Sequence, residues 1–326
     1  MNRLAALLAL LMASILLGAC ATHDGTVAAD LEPGRLPRPN ISLDIPGLGP
    51  CTDNPDRSLS IDSSQPLNVL VHGCYGSSGQ FRALAQVLAF HGQQSACFTY
   101  DDRARLDNVA GELRRALTQL AGLSHLPQIT LIGHSQGALL ARRSLTESLP
   151  TPLPDAAVDL RLVTVSGPFS GIEAARTCGR AWLYPLTFGL LPLSCYLTTG
   201  PKWADITFAS TFIREPGALA PRVADHLKID TDERGSCRRD EADRCVESDD
   251  IFSLDEQRLP LEQADARMRR VVVNAGHVEI VGDKRVAPTK LIDVLQQQGV
   301  LRETPPERLA ALHRLLAQAY RTSGSK

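Results

Sequence analysis

Two short segments carry residues whose types and spacing can do acyl-transfer chemistry. Gly133-His134-Ser135-Gln136-Gly137 places a serine between two glycines, with the apolar run Ile129 to Ile132 leading in and a helix-forming run, ALLARRSLTESL, leading out. A serine on a sharp strand-to-helix turn needs small neighbours two residues away on each side, because larger ones crowd the strained backbone. The turn exposes the hydroxyl and aims the helix N-terminus at the point where negative charge develops. The second segment, Val69-Leu70-Val71-His72-Gly73-Cys74-Tyr75-Gly76, ends an apolar strand in a His-Gly turn. An acyl carbonyl that becomes an oxyanion needs two preorganised N–H donors. The backbone N–H of Gln136, directly after the serine, is one candidate, and the N–H of Cys74 is the other.

Val-His-Gly-x-x-Gly after a strand, followed by Gly-His-Ser-Gln-Gly, resembles the bacterial lipase and esterase branch of the α/β-hydrolase superfamily over residues 65 to 300. The resemblance implies an α/β-hydrolase fold, with a mostly parallel central sheet flanked by helices and a cap-like insertion. It also implies a nucleophile, acid and histidine in that chain order. His72 precedes Ser135 and is therefore read as structural. Of the histidines after Ser135, His313 falls inside a terminal helix, and His226 has too few acids between it and the serine. His277 follows a strand and Gly276 in AGHVEIVGD, as the family's histidine does. It is assigned as general base, taking the Ser135 proton and returning it to the leaving group. Ser248-Asp249-Asp250-Ile251-Phe252-Ser253 is similar to the family segment that carries the acid, which implies Asp249, with Asp250 the runner-up and Glu247 and Asp255 more distant candidates. Leu160 to Val165 followed by SGPFSG is similar to the family's sixth strand, with Phe169 where a histidine or asparagine is usual.

The elements that must position these groups alternate short β-rich runs with amphipathic helical patterns, the signature of a parallel α/β sheet. Strands are expected at 67–71, 96–100, 128–132, 160–165 and 270–273, and helices at 80–91, 105–123 and 137–149. From about 171 to 219 the alternation lapses. The run 182–193 is apolar but broken by Pro and Gly, so it either packs on the core or caps a site. Residues 231–250 read as a charged, exposed loop, and 304–321 as a closing helix opened by Thr304-Pro305-Pro306-Glu307.

Asn2-Arg3, the apolar stretch Leu4 to Leu17 and Leu17-Gly18-Ala19-Cys20 resemble a signal peptide ending in a bacterial lipobox. That implies cleavage of residues 1–19 and a lipid anchor on Cys20. Residues 20–60 then form a tether leading into irregular or edge structure, and 61–326 the hydrolase domain. Ala21 in place of aspartate points to an outer-membrane anchor in the cell envelope. Seven cysteines remain beyond Cys20, and outside the cytoplasm they favour disulfides. Spacing favours Cys178 with Cys195 and Cys237 with Cys245, and the odd count leaves a thiol over.

With 44% apolar and 21% charged residues, disorder is excluded for most of the chain. A net charge of −2 without a basic run excludes a nucleic-acid partner. No zinc or nucleotide motif occurs, so no metal or cofactor is expected. The expectation is an ester hydrolase acting on an acyl-ester substrate. Acyl transfer, thioester or amide cleavage could use the same residues, and a silent binding lipoprotein of the same fold is the alternative from another class.

Overall fold

A computed structural model describes residues 36–320, apart from 155–156, 181, 242–243, 261–264 and 283–285. Cys20 and the signal segment lie outside the described residues. The strands in chain order are β1 (Ile41–Leu43), β2 (Leu48–Gly49), β3 (Leu59–Ile61), β4 (Leu67–Val71), β5 (Gln94–Phe98), β6 (Gln128–His134), β7 (Asp159–Val165), β8 (Val223–Asp232), β9 (Cys237–Glu241), β10 (Arg244–Ser248) and β11 (Met268–Asn274). The principal helices are α1 (Arg82–Phe90), α2 (Leu106–Leu123), α3 (Gln136–Ser144), α4 (Leu183–Leu186), α5 (Leu190–Thr199), α6 (Thr211–Arg214), α7 (Thr289–Gln297) and α8 (Leu309–Ala319).

Seven strands form one sheet in the order β11-β8-β7-β6-β4-β5-β2. Six run parallel, and the edge strand β2 pairs antiparallel with β5. The chain winds outward from β4 in one direction and from β6 in the other. The carboxyl ends of β4 and β6 thus adjoin at the switch point, where open α/β sheets bind ligands. The LNVLV of β4 is wholly buried, as expected for a strand covered by helices on both faces. One core joins α2 and α3 to the sheet through Val69, Val71, Leu131, Leu113, Leu117 and Leu140. A second, through Leu70, Ile132, Leu84, Leu88, Leu291 and Leu295, seats α1 and α7 on the opposite face.

Several sequence expectations change. β8 stands where no strand was expected, because His226, Lys228 and Asp230 interrupt its apolar pattern. All three are buried, yet each is paired. The Asp230 carboxylate accepts from Lys228 Nζ at 2.6 Å and from Arg270 Nε at 2.7 Å, and His226 Nε2 meets Thr164 Oγ1 at 3.0 Å. The edge structure expected in the lead-in takes the form of β1 paired with β3 and β2 at the margin of the main sheet. Within 231–250, read as a loop, β9 and β10 pair antiparallel with each other. Thr304 does not cap the last helix. Its hydroxyl meets His91 Nε2 and Gln296 Nε2, each at 2.8 Å.

Disulfides join Cys178–Cys195 and Cys237–Cys245, as spacing favoured, and Cys51–Cys97, which fastens the lead-in to β5. Cys74 is the free thiol among the described residues.

Candidate active site

Ser135 sits at the carboxyl end of β6 with φ +56°, in the left-handed region that a non-glycine residue adopts at a cost. The strain is held from both sides. Its N–H donates to the Val165 carbonyl at 2.9 Å, and its carbonyl accepts from the Ala138 N–H at 3.0 Å as α3 begins. A Cβ on Gly133 would strike the Gly137 carbonyl, and one on Gly137 would strike the Val71 carbonyl. The glycines of the motif are thus required by the closeness of α3 to β6 and β4.

His277 lies in the turn after β11, and the residue before Ser135 holds it in place. His134 Nε2 is 2.9 Å from the His277 carbonyl oxygen, and the two imidazole rings stand 4.8 Å apart. The Phe252 ring meets His277 edge-on at 4.6 Å. Burial, then the nearby His277 charge, depress the His134 pKa well below its ordinary value, so His134 stays neutral as a support. Ser135 and His277 are both buried, each 7% exposed.

The group that meets the imidazole of His277 is Glu233, the first residue past β8. Its Oε1 lies 2.9 Å from His277 Nδ1 and accepts from the Ser166 and Thr231 hydroxyls at 2.7 Å each. Its Oε2 accepts the N–H groups of Ile251 and Phe252, both at 2.7 Å. Burial alone would raise the Glu233 pKa. The hydrogen bond and charge of His277, with the Phe252 N–H and Ser166 hydroxyl, outweigh it, and the pKa is lowered. Glu233 therefore remains ionised at neutral pH, with Nδ1 of His277 as donor and Nε2 left for another partner.

This corrects the assignment of Asp249. Its carboxylate accepts the N–H of Val278 at 3.0 Å and of Glu279 at 2.9 Å, and its carbonyl accepts the His277 N–H at 3.0 Å. Asp249 thus holds the backbone of the histidine turn and not its ring. Burial raises its pKa against those N–H groups. Nor do the neighbouring carboxylates reach the ring. Asp250 is exposed, Glu247 pairs with Arg238 at 3.0 Å, and Asp255 pairs with Arg258 at 2.9 Å. A carboxylate directly after a strand was the usable signal for Glu233, hidden because the apolar pattern of β8 is broken. Of the remaining histidines, His72 stacks on Tyr100 at 4.3 Å, His226 is buried against Thr164, and His313 is exposed.

On the other side of Ser135 lies the turn after β4. A Cβ on Gly73 would press on the Ser135 Cβ, so the turn and the serine are in contact. The N–H groups of Tyr75 and Gly76 are committed to Asp102 Oδ2 and the Gly73 carbonyl. The N–H of Cys74 has no acceptor among the described residues. Gln136 opens α3, and the first N–H groups of a helix have no intrahelical acceptor. Both candidate donors thus flank the serine.

Residues 183–199 fold as α4 and α5, tied by Cys178–Cys195, and the end of α5 is fastened beside the turn after β4. Arg103 donates to the carbonyls of Tyr196, Leu197 and Thr198 at the end of α5, and Tyr75 Oη reaches the Thr198 carbonyl at 3.4 Å. The segment does not pack on the core. Trp182, Leu186, Leu190 and Leu197 are each more than 60% exposed, and Phe188 is 94% exposed.

No family model and no curated protein sequence matches the chain. Solved structures do. The mature lipase of Bacillus licheniformis aligns over 78% of this chain and 99% of its own, at 15% identity and a TM-score of 0.50. Esterase B of Lactobacillus rhamnosis aligns over 98% of this chain and 99% of its own, at 13% identity and a TM-score of 0.51. The likeness places the chain in the α/β-hydrolase fold, in agreement with the parallel sheet and its helical layers.

Proposed function

We propose that this α/β-hydrolase-fold protein is a serine carboxylic-ester hydrolase that uses Ser135, His277 and Glu233. The observation that carries the reading is the convergence at one end of the sheet. A strained serine follows β6, a histidine follows β11, and a carboxylate after β8 holds that histidine's Nδ1. In this mechanism Ser135 Oγ attacks the acyl carbonyl while His277 Nε2 takes its proton. Glu233 fixes the tautomer and stabilises the imidazolium, and the N–H groups of Cys74 and Gln136 receive the oxyanion. The alcohol leaves with the proton from His277. Water then attacks the acyl-enzyme by the same route in reverse, and no cofactor takes part.

The exposed apolar residues 182–197 favour a lipid-like acyl ester over a small polar one, because a patch of this kind marks a surface for apolar ligands. Lipid anchoring through Cys20 to the outer membrane, inferred from the lipobox-like sequence, would keep such a site near its substrate. Incorporation of labelled palmitate by the chain, lost in Cys20→Ser, tests the anchor. Turnover of p-nitrophenyl esters from two to sixteen carbons, beside Ser135→Ala, tests the activity. Hydrolysis lost in the mutant supports it, and hydrolysis that survives refutes the assignment.

A further inference from the structure

Lys202 lies in the short turn that follows α5, and it is almost wholly buried, with its side chain 1% exposed. Its Nζ donates to the Cys74 Sγ at 2.9 Å and to the Asp102 carbonyl, and lies 3.5 Å from Asp102 Oδ2. The same Asp102 Oδ2 accepts the Tyr75 N–H at 2.6 Å. That bond holds Tyr75 at φ +56°, a conformation that turns the adjoining peptides of the loop after β4. The Asp102 carbonyl also accepts from Gln136 Nε2 at 3.2 Å. One ammonium therefore contacts both the residue that supplies one oxyanion donor and the carboxylate beside it, while Gln136 supplies the other.

A carboxylate in this place is an electrostatic problem for the reaction. It is needed to pin the loop, yet its negative charge opposes an oxyanion forming at the neighbouring N–H of Cys74. Asp102 is only partly buried, with its side chain 21% exposed, whereas the Lys202 ammonium is enclosed, and a buried charge is tolerated when a counter-charge is held close. We propose that Lys202 is a positioning residue for the oxyanion hole, cancelling the Asp102 charge so that Asp102 fixes the loop without repelling the transition state. The inference rests on the serine-hydrolase reading above. Burial raises the Cys74 pKa, opposed by Lys202, so the thiol serves as a neutral acceptor for the ammonium. Because Lys202 follows α5, it also makes the oxyanion loop depend on the seating of that helix: its own N–H donates to the Arg103 carbonyl at 3.3 Å.

The test compares full-length wild type, Lys202→Gln, the double variant Lys202→Gln/Asp102→Asn and Ser135→Ala on one p-nitrophenyl ester, with thermal unfolding run on each. Asparagine keeps an oxygen for the Tyr75 N–H but carries no charge. Lys202→Gln should lower kcat at least tenfold with KM changed less than threefold, and the double variant should regain kcat to within tenfold of wild type. A kcat for Lys202→Gln within tenfold of wild type, or a double variant no faster than the single one, overturns the proposal. Should Lys202→Gln not fold, the double variant decides alone: kcat within tenfold of wild type supports the proposal and a larger loss overturns it. Wild-type turnover that survives in Ser135→Ala, or is absent altogether, overturns the hydrolase reading itself, a failure distinct from that of Lys202.

Discussion

Glu233 Oε1 lies 2.9 Å from His277 Nδ1, and the two residues stand just past the ends of neighbouring parallel strands, β8 and β11. Strand register sets this pairing: Asp232 is level with Asn274, so one further step along β8 and three along β11 bring carboxylate and imidazole together. Glu233→Gln would keep the shape and hold the wrong tautomer. It should lower kcat by about 10⁴, the loss seen when an amide replaces a triad carboxylate, with little change in KM.

Asp249→Asn should behave differently. Its carboxylate serves the N–H groups of Val278 and Glu279, so the loss falls first on the stability of the histidine turn, about 1–3 kcal/mol for the buried groups left poorly paired. Urea unfolding and kinetics run together check this. A kcat lower for Asp249→Asn than for Glu233→Gln would return the acid role to Asp249.

The contrast between these two acids shows where the sequence was legible. Ser135, His277 and the turn at Cys74 belong to short local patterns: an apolar strand, small residues, then a helix or loop. Six of the seven sheet strands either matched such runs or lay in the lead-in expected to be irregular or edge structure. β8 did not, because its interior positions hold Lys228 and Asp230, whose burial makes sense only once Arg270 on β11 is known to lie alongside. Without that strand Glu233 is hidden, and the acidic cluster around Asp249 is the one visible before His277. The disulfides Cys178–Cys195 and Cys237–Cys245 close short loops and were readable from spacing. Cys51–Cys97 joins segments that only the sheet brings together.

Loop length also ranks those disulfides. Chain-entropy reasoning gives about 4 kcal/mol for a loop of the Cys51–Cys97 separation and about 2.5 kcal/mol for that of Cys237–Cys245. Replacing Cys51 and Cys97 by alanine should therefore lower Tm more than the same change at Cys237 and Cys245. Calorimetry of the two double variants checks the order.

Acid sensitivity should come in part from His226. Burial, then the Arg142 charge, lowers its pKa from 6.5 to about 3, so the folded chain keeps it neutral while the unfolded chain protonates it. The unfolded state binds the extra proton between those values, so stability falls as pH drops through that window. One such histidine contributes up to about 1.4 kcal/mol per pH unit. His226→Gln should flatten the pH dependence of unfolding free energy by close to one proton, and an unchanged slope would count against this source.

The exposed segment makes a prediction of its own. Phe188→Ser and Leu190→Ser remove apolar surface that packs on nothing in the core. Turnover of long-chain esters should fall several-fold while short-chain turnover and Tm hold steady. Equal loss on both chain lengths would make the segment structural.

The most direct measurement is covalent. The full-length chain is treated with a fluorophosphonate probe and the labelled peptide is mapped by mass spectrometry, beside Ser135→Ala and Glu233→Gln. A single adduct on Ser135 is expected, absent from Ser135→Ala and formed far more slowly in Glu233→Gln. No adduct on the wild type, or labelling of Glu233→Gln at the wild-type rate, would contradict the assignment of Ser135, His277 and Glu233.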